Sequence, residues 1–104
     1  MAVIAVQDDK ILRFLEVILD PSVAPARIEA FRDYLSFDVA DVDGWFDEQR
    51  RVAAAIHPSS VRMVPDAEAL RAVLPEADAV VTESLAFGAA ELAIAKKLKF
   101  VQKF

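Results

Sequence analysis

The sequence predicts an α/β sandwich built on a mostly parallel sheet. Short runs rich in β-branched and apolar residues, AVIAVQ at 2–7, VRMV at 61–64, AVVT at 79–82 and FVQKF at 100–104, alternate with segments whose apolar residues recur at helical spacing. Residues 76–104 read as strand, loop, helix and strand, the grammar of a βαβ unit feeding a parallel sheet. Proline and aspartate punctuate the boundaries, and no repeat, linker or low-complexity stretch interrupts the order.

Each element follows from its residues. Residues 2–7 form a first strand, and Asp8-Asp9-Lys10 a turn. The run 11–19, ILRFLEVIL, reads as a second and central strand that closes at Asp20-Pro21. Pro25 opens a helix to about Leu35, with Ile28, Phe31 and Leu35 on one face. Residues 37–43 alternate like a short strand but are rich in aspartate, and Asp43 is the expected N-cap of a helix from Gly44 to Ile56. Trp45, Val52 and Ile56 share a face of that helix, which suits either burial against the sheet or an interface anchor. Residues 61–64 form a short strand, and Asp66 caps a helix over 67–74 that Pro75 ends. A strand over 79–82, a helix from about Phe87 to Lys97 and a strand from Phe100 complete the order.

Composition narrows the function classes. A chain of 104 residues has room for one domain with a single core. The absence of cysteine removes disulfides, thiolate nucleophiles and Cys-ligated metals, and fits a cytoplasmic protein. A net charge of −5 argues against nucleic acid, and no apolar run approaches the ~20 residues of a membrane span. Lys96, Lys97, Lys99 and Lys103 form the one basic cluster, at a helix C-terminus and beside an edge-like strand.

Few residues carry chemistry. Asp8, Asp9 and Asp20 lie too close in sequence for the acidic site of a receiver domain, and a turn and a strand terminus account for them. His57, the one histidine, has no second ligand with which to bind a metal; it sits at a helix C-terminus, with a dyad to a distant carboxylate as the alternative. With only Gly44 and Gly88, no glycine-rich phosphate cradle exists. What remains is the loop Glu83-Ser84-Leu85-Ala86, after the carboxyl end of a parallel strand, where open α/β sheets bind ligands. Ser84 either caps the next helix or donates to an anion, and the backbone N–H groups there can hold a carboxylate.

The segments ADAVVTES at 77–84, Glu91-Leu92 and KLKFVQKF at 97–104 resemble the N-terminal region of D-isomer-specific 2-hydroxyacid dehydrogenases. The similarity covers residues 66–104 and extends to 13–35, leaving 37–60 as an insertion with a helix and 1–12 as an N-terminal strand extension. The resemblance implies a flavodoxin-like three-layer sandwich, here an incomplete substrate domain, that closes over a separate nicotinamide domain. It implies substrate contacts from Glu83, Ser84, Leu85 and Phe104, no catalytic or metal-binding residue in this chain, and NAD or NADP held by a partner. Family members commonly carry an arginine before the serine; Glu83 takes that place here and would repel an anionic substrate. The expected role is therefore the small, non-catalytic subunit of a split, heteromeric D-2-hydroxyacid dehydrogenase acting on a small 2-hydroxy or 2-oxo acid. The larger subunit would complete a sheet that stops within its last strand at Phe104. A stand-alone flavodoxin-like binding or regulatory module, a truncated piece of an ordinary dehydrogenase, and a small enzyme using Glu83 and His57 are the alternatives.

Overall fold

The computed structural model describes Met1 to Phe104. Four strands, β1 (Ala2–Gln7), β2 (Ser59–Val64), β3 (Ala79–Thr82) and β4 (Phe100–Lys103), form one sheet in the order β2-β1-β3-β4. Every pairing is parallel. With helices on both faces, this is the flavodoxin-like three-layer arrangement, present here with four strands.

Five helices connect the strands: α1 (Phe14–Leu19), α2 (Pro25–Leu35), α3 (Val42–Val52), α4 (Ala67–Val73) and α5 (Ala89–Ile94). Leu74–Glu76 adds a 3-10 turn after α4. The first three helices cover one face, packing Val17, Phe31 and Phe46 onto Ile4, Val6, Val61 and Val81. Against the second face lie Leu70, Leu74 and Ala95, on Ala5, Val64 and Val80. Consecutive β1 residues therefore feed opposite cores, and Ile4 to Gln7 are all buried, as expected of a strand covered on both faces.

Three expectations change. Residues 11–19 are not a strand: they form a turn that enters α1. Asp9 starts the turn, its Oδ1 accepting the N–H groups of Ile11 at 2.8 Å and Leu12 at 3.2 Å. Arg13 and Glu16, three residues apart, then stand clear of the core and pair with Asp8 and Arg27, while Val17, Ile18 and Leu19 are buried. With 11–19 helical, the central place in the sheet falls to β1, which lies between β2 and β3 rather than on an edge.

The ambiguous stretch 37–43 contains no strand, and α3 begins earlier than expected. Asp41, not Asp43, is its N-cap, accepting from the N–H of Gly44 at 3.0 Å. Asp43 pairs with Arg32 of α2 instead. Within 37–60, α3 gives Val42 and Phe46 to the core. Its Arg50 lies over the Phe46 ring and donates to the carbonyls of Val17 and Ile18, tying α3 to the C-terminal end of α1. The last helix is shorter than expected, six residues with Gly88 as its N-cap and no side-chain cap.

Candidate ligand cleft at the carboxyl end of the sheet

The chain leaves β1 toward the first face and leaves β3 toward the second. Neighbouring strands whose connections part in this way leave a crevice beyond their carboxyl ends, the usual ligand position in open parallel sheets. A cavity of about 360 Å³ lies there, lined by Asp9, Ile11, Leu12, Phe14, Glu83 and Phe104.

The loop that brings Glu83 to this cavity is organised by one buried side chain. Gln7, the last residue of β1, reaches into the loop after β3, where its Oε1 accepts the N–H groups of Glu83 at 2.8 Å, Ser84 at 2.9 Å and Leu85 at 3.0 Å. The other end of the amide, Nε2, donates to the Ser84 hydroxyl at 2.8 Å. The loop therefore has the cluster of converging N–H groups expected from the sequence, but a carbonyl of the protein fills it. Ser84 does not cap the following helix, and the three backbone donors are taken by Gln7, while the Ser84 hydroxyl accepts from Gln7 and keeps its own O–H to donate.

The four residues assigned to substrate contact separate accordingly. Glu83 and Phe104 meet in the cleft. Ser84 is engaged by Gln7, and Leu85 packs against the core of the second face. Sequence reasoning missed Gln7, Asp9, Ile11, Leu12 and Phe14. Ile11, Leu12 and Phe14 were hidden when 11–19 was read as a strand, and Asp9 when it was read only as part of the turn before it. Gln7 did leave a signal, a lone amide closing an apolar strand.

Charge gives the cleft its chemistry. Its lining holds two carboxylates, Asp9 and Glu83, and no cation. Glu83 belongs to none of the ion pairs. Asp8, beside the cleft, is tied up: the Arg13 guanidinium, 2.6 Å away, holds its carboxyl below the usual aspartate value against a smaller opposing effect of burial, and Arg27 adds to the shift. No group of three or more His, Cys, Asp or Glu residues is placed to hold a metal ion. His57 lies between α3 and β2, at the amino end of the sheet. The six-residue β2 separates it from the carboxyl end by roughly 15–20 Å, so no His57–Glu83 pair forms. At the end of β3, the buried Thr82 hydroxyl has no hydrogen-bond partner.

No protein-family model, curated protein or solved structure matches the chain.

Proposed function

We propose that this chain is the substrate-domain part of a nicotinamide-dependent oxidoreductase of the D-2-hydroxyacid dehydrogenase type, the small subunit beside a larger chain that binds NAD or NADP. The observation that carries the reading is the crevice between β1 and β3, with Glu83 and Phe104 on its wall. These are two of the residues at which the resemblance in 77–104 expects substrate. The partner supplies the nicotinamide domain, the proton-transfer group and the cations that bind a 2-hydroxy or 2-oxo carboxylate. The last is required because this wall of the cleft is acidic. In such an assembly the chain contributes apolar walls, Ile11, Leu12, Phe14 and Phe104, that exclude water from the reacting carbons.

A specific observation favours a second reading, a flavodoxin-like binding or regulatory module with no chemistry of its own. The three backbone N–H groups of the 83–85 loop are already satisfied by Gln7, so the loop backbone holds its shape without a ligand. Native mass spectrometry of the protein purified from its own host separates the two. A complex with a larger chain that carries a nicotinamide dinucleotide supports the split dehydrogenase. A lone monomer or homodimer without cofactor overturns it in favour of the module.

A further inference from the structure

Two adjoining cavities lie between the turn that follows β1 and helix α2. The larger, of about 480 Å³, has Lys10, Arg13 and Arg27 in its wall beside Ile11, Phe31 and Tyr34. The second, of about 240 Å³, shares Ile11, Phe31 and Tyr34 with the first, adds Phe14, Leu35 and Trp45, and has no charged residue in its wall. Together they make one hollow, cationic at one end and aromatic at the other, of the size of a small-molecule site. The acidic cleft beyond the sheet is a different place with the opposite charge, and Ile11 stands in the wall of both.

The fold does not use up these cations. Arg13 meets Asp8 through Nε at 2.6 Å, and Arg27 meets Glu16 through Nε at 3.2 Å. These contacts brace the two guanidinium groups, and no hydrogen bond within the chain uses the terminal Nη groups of either. Lys10 is exposed and belongs to no ion pair. None of Asp8, Asp9 and Glu16 lines the hollow. All three carboxylates nevertheless lie within electrostatic reach of Arg13, so the surplus of positive charge is small. A single negative charge matches it better than the two of a phosphate.

The other end selects the body of the ligand. Tyr34 is 60% and Ile11 54% exposed, and the Tyr34 ring stands edge-on to Phe31 with centroids 6.2 Å apart. An apolar group laid here takes this surface out of water and meets ring faces and edges. We propose that the hollow binds a small organic carboxylate with an apolar body. Lys10, Arg13 and Arg27 hold the carboxylate, and Phe31, Tyr34 and Trp45 cover the body. Residues of this chain alone make the site, so it stands with either function proposed above.

The test is an NMR titration of the isotope-labelled chain with sodium 2-naphthylacetate and with sodium decanoate. Trp45 is the one tryptophan, so its indole N–H gives a single resonance that reports on the aromatic end. At least one of the acids should saturate with a Kd below about 1 mM, moving that resonance and the backbone amides of 10–13 and 27–34. Its neutral amide should bind at least ten-fold more weakly, and added salt should weaken the acid but not the amide. Lys10→Gln should weaken binding at least three-fold and Tyr34→Ala at least five-fold, both at exposed side chains, with the thermal midpoint unchanged. Three results overturn the proposal: neither acid saturating below that concentration, acid and amide binding equally well, or shifts confined to the 83–85 loop. A dimer that forms with rising protein concentration and moves the same resonances gives the hollow to a second copy and overturns it as well.

Discussion

Gln7 and Ser84 lie 77 positions apart in sequence, yet each end of the Gln7 amide engages Ser84: Nε2 donates to the hydroxyl at 2.8 Å while Oε1 accepts the backbone N–H at 2.9 Å. This double contact joins the carboxyl ends of the two strands that border the cleft. The path of the 83–85 loop, and with it the position of Glu83, depends on a residue of β1.

Gln7→Leu keeps the volume and removes the acceptor. Three loop N–H groups then lose their partner, and because the loop is only partly buried, water recovers some of the loss. We expect a cost of about 2 kcal/mol, read as a lower urea midpoint at unchanged m-value. Exchange should accelerate at amides 83–85 and stay unchanged in β2. A variant as stable as the parent would show that the loop is held by something else.

Thr82→Val should act in the opposite direction. The hydroxyl is buried without a partner, so its removal relieves a desolvation cost while the β-branched shape that suits a strand is kept. A gain of about 1 kcal/mol is expected from denaturant titration. A loss of that size would mean that the hydroxyl is hydrogen-bonded in solution.

Asp20 makes stability fall in acid. Burial raises its carboxyl pKa, but the Ser22 hydroxyl and the backbone N–H groups of Val61 and Ser22 together outweigh this and hold it below the ordinary aspartate value. The unfolded chain then binds the proton more readily than the folded one. The contribution is present above the unfolded pKa, near 4, and is lost as pH falls through the folded value. Asp8 and Asp78, also lowered, act in the same sense. Asp20→Asn offers a single acceptor where two oxygens are used, so it should be less stable than the parent at pH 7. It should also show a smaller drop in urea midpoint between pH 5 and pH 2.

Glu83→Gln should leave stability within about 0.5 kcal/mol of the parent, because the carboxylate is exposed and has no ion-pair partner. Under the proposed dehydrogenase function the same change removes a negative charge from the cleft and should lower KM for an anionic 2-oxo acid several-fold. An unchanged KM with unchanged kcat would place substrate away from this wall.

Where local residues decide structure, the sequence was readable. Pro25 and Asp66 set the starts of α2 and α4, and the β-branched run 79–82 is β3 to the residue. It misled where tertiary contacts choose between two local options. ILRFLEVIL has strong β propensity, but Asp9 caps its first turn, and Arg13 and Glu16 find partners only if the segment is helical. That one reversal moved β1 to the centre of the sheet and brought Ile11, Leu12 and Phe14 to the cleft. The loop carrying Glu83 was legible because a strand end before a helix is a local pattern. Its occupation by Gln7 was not, since that depends on β1 and β3 lying side by side.

The most direct test of the account is cofactor-dependent turnover. This chain would be purified together with the larger chain proposed as its partner, and oxidation of NADH or NADPH followed with a panel of 2-oxo acids, for the pair and for the larger chain alone. The account predicts that the pair turns over substrate and that the larger chain alone binds cofactor without turnover. A pair that is inactive with every 2-oxo acid, or a larger chain equally active by itself, would contradict it.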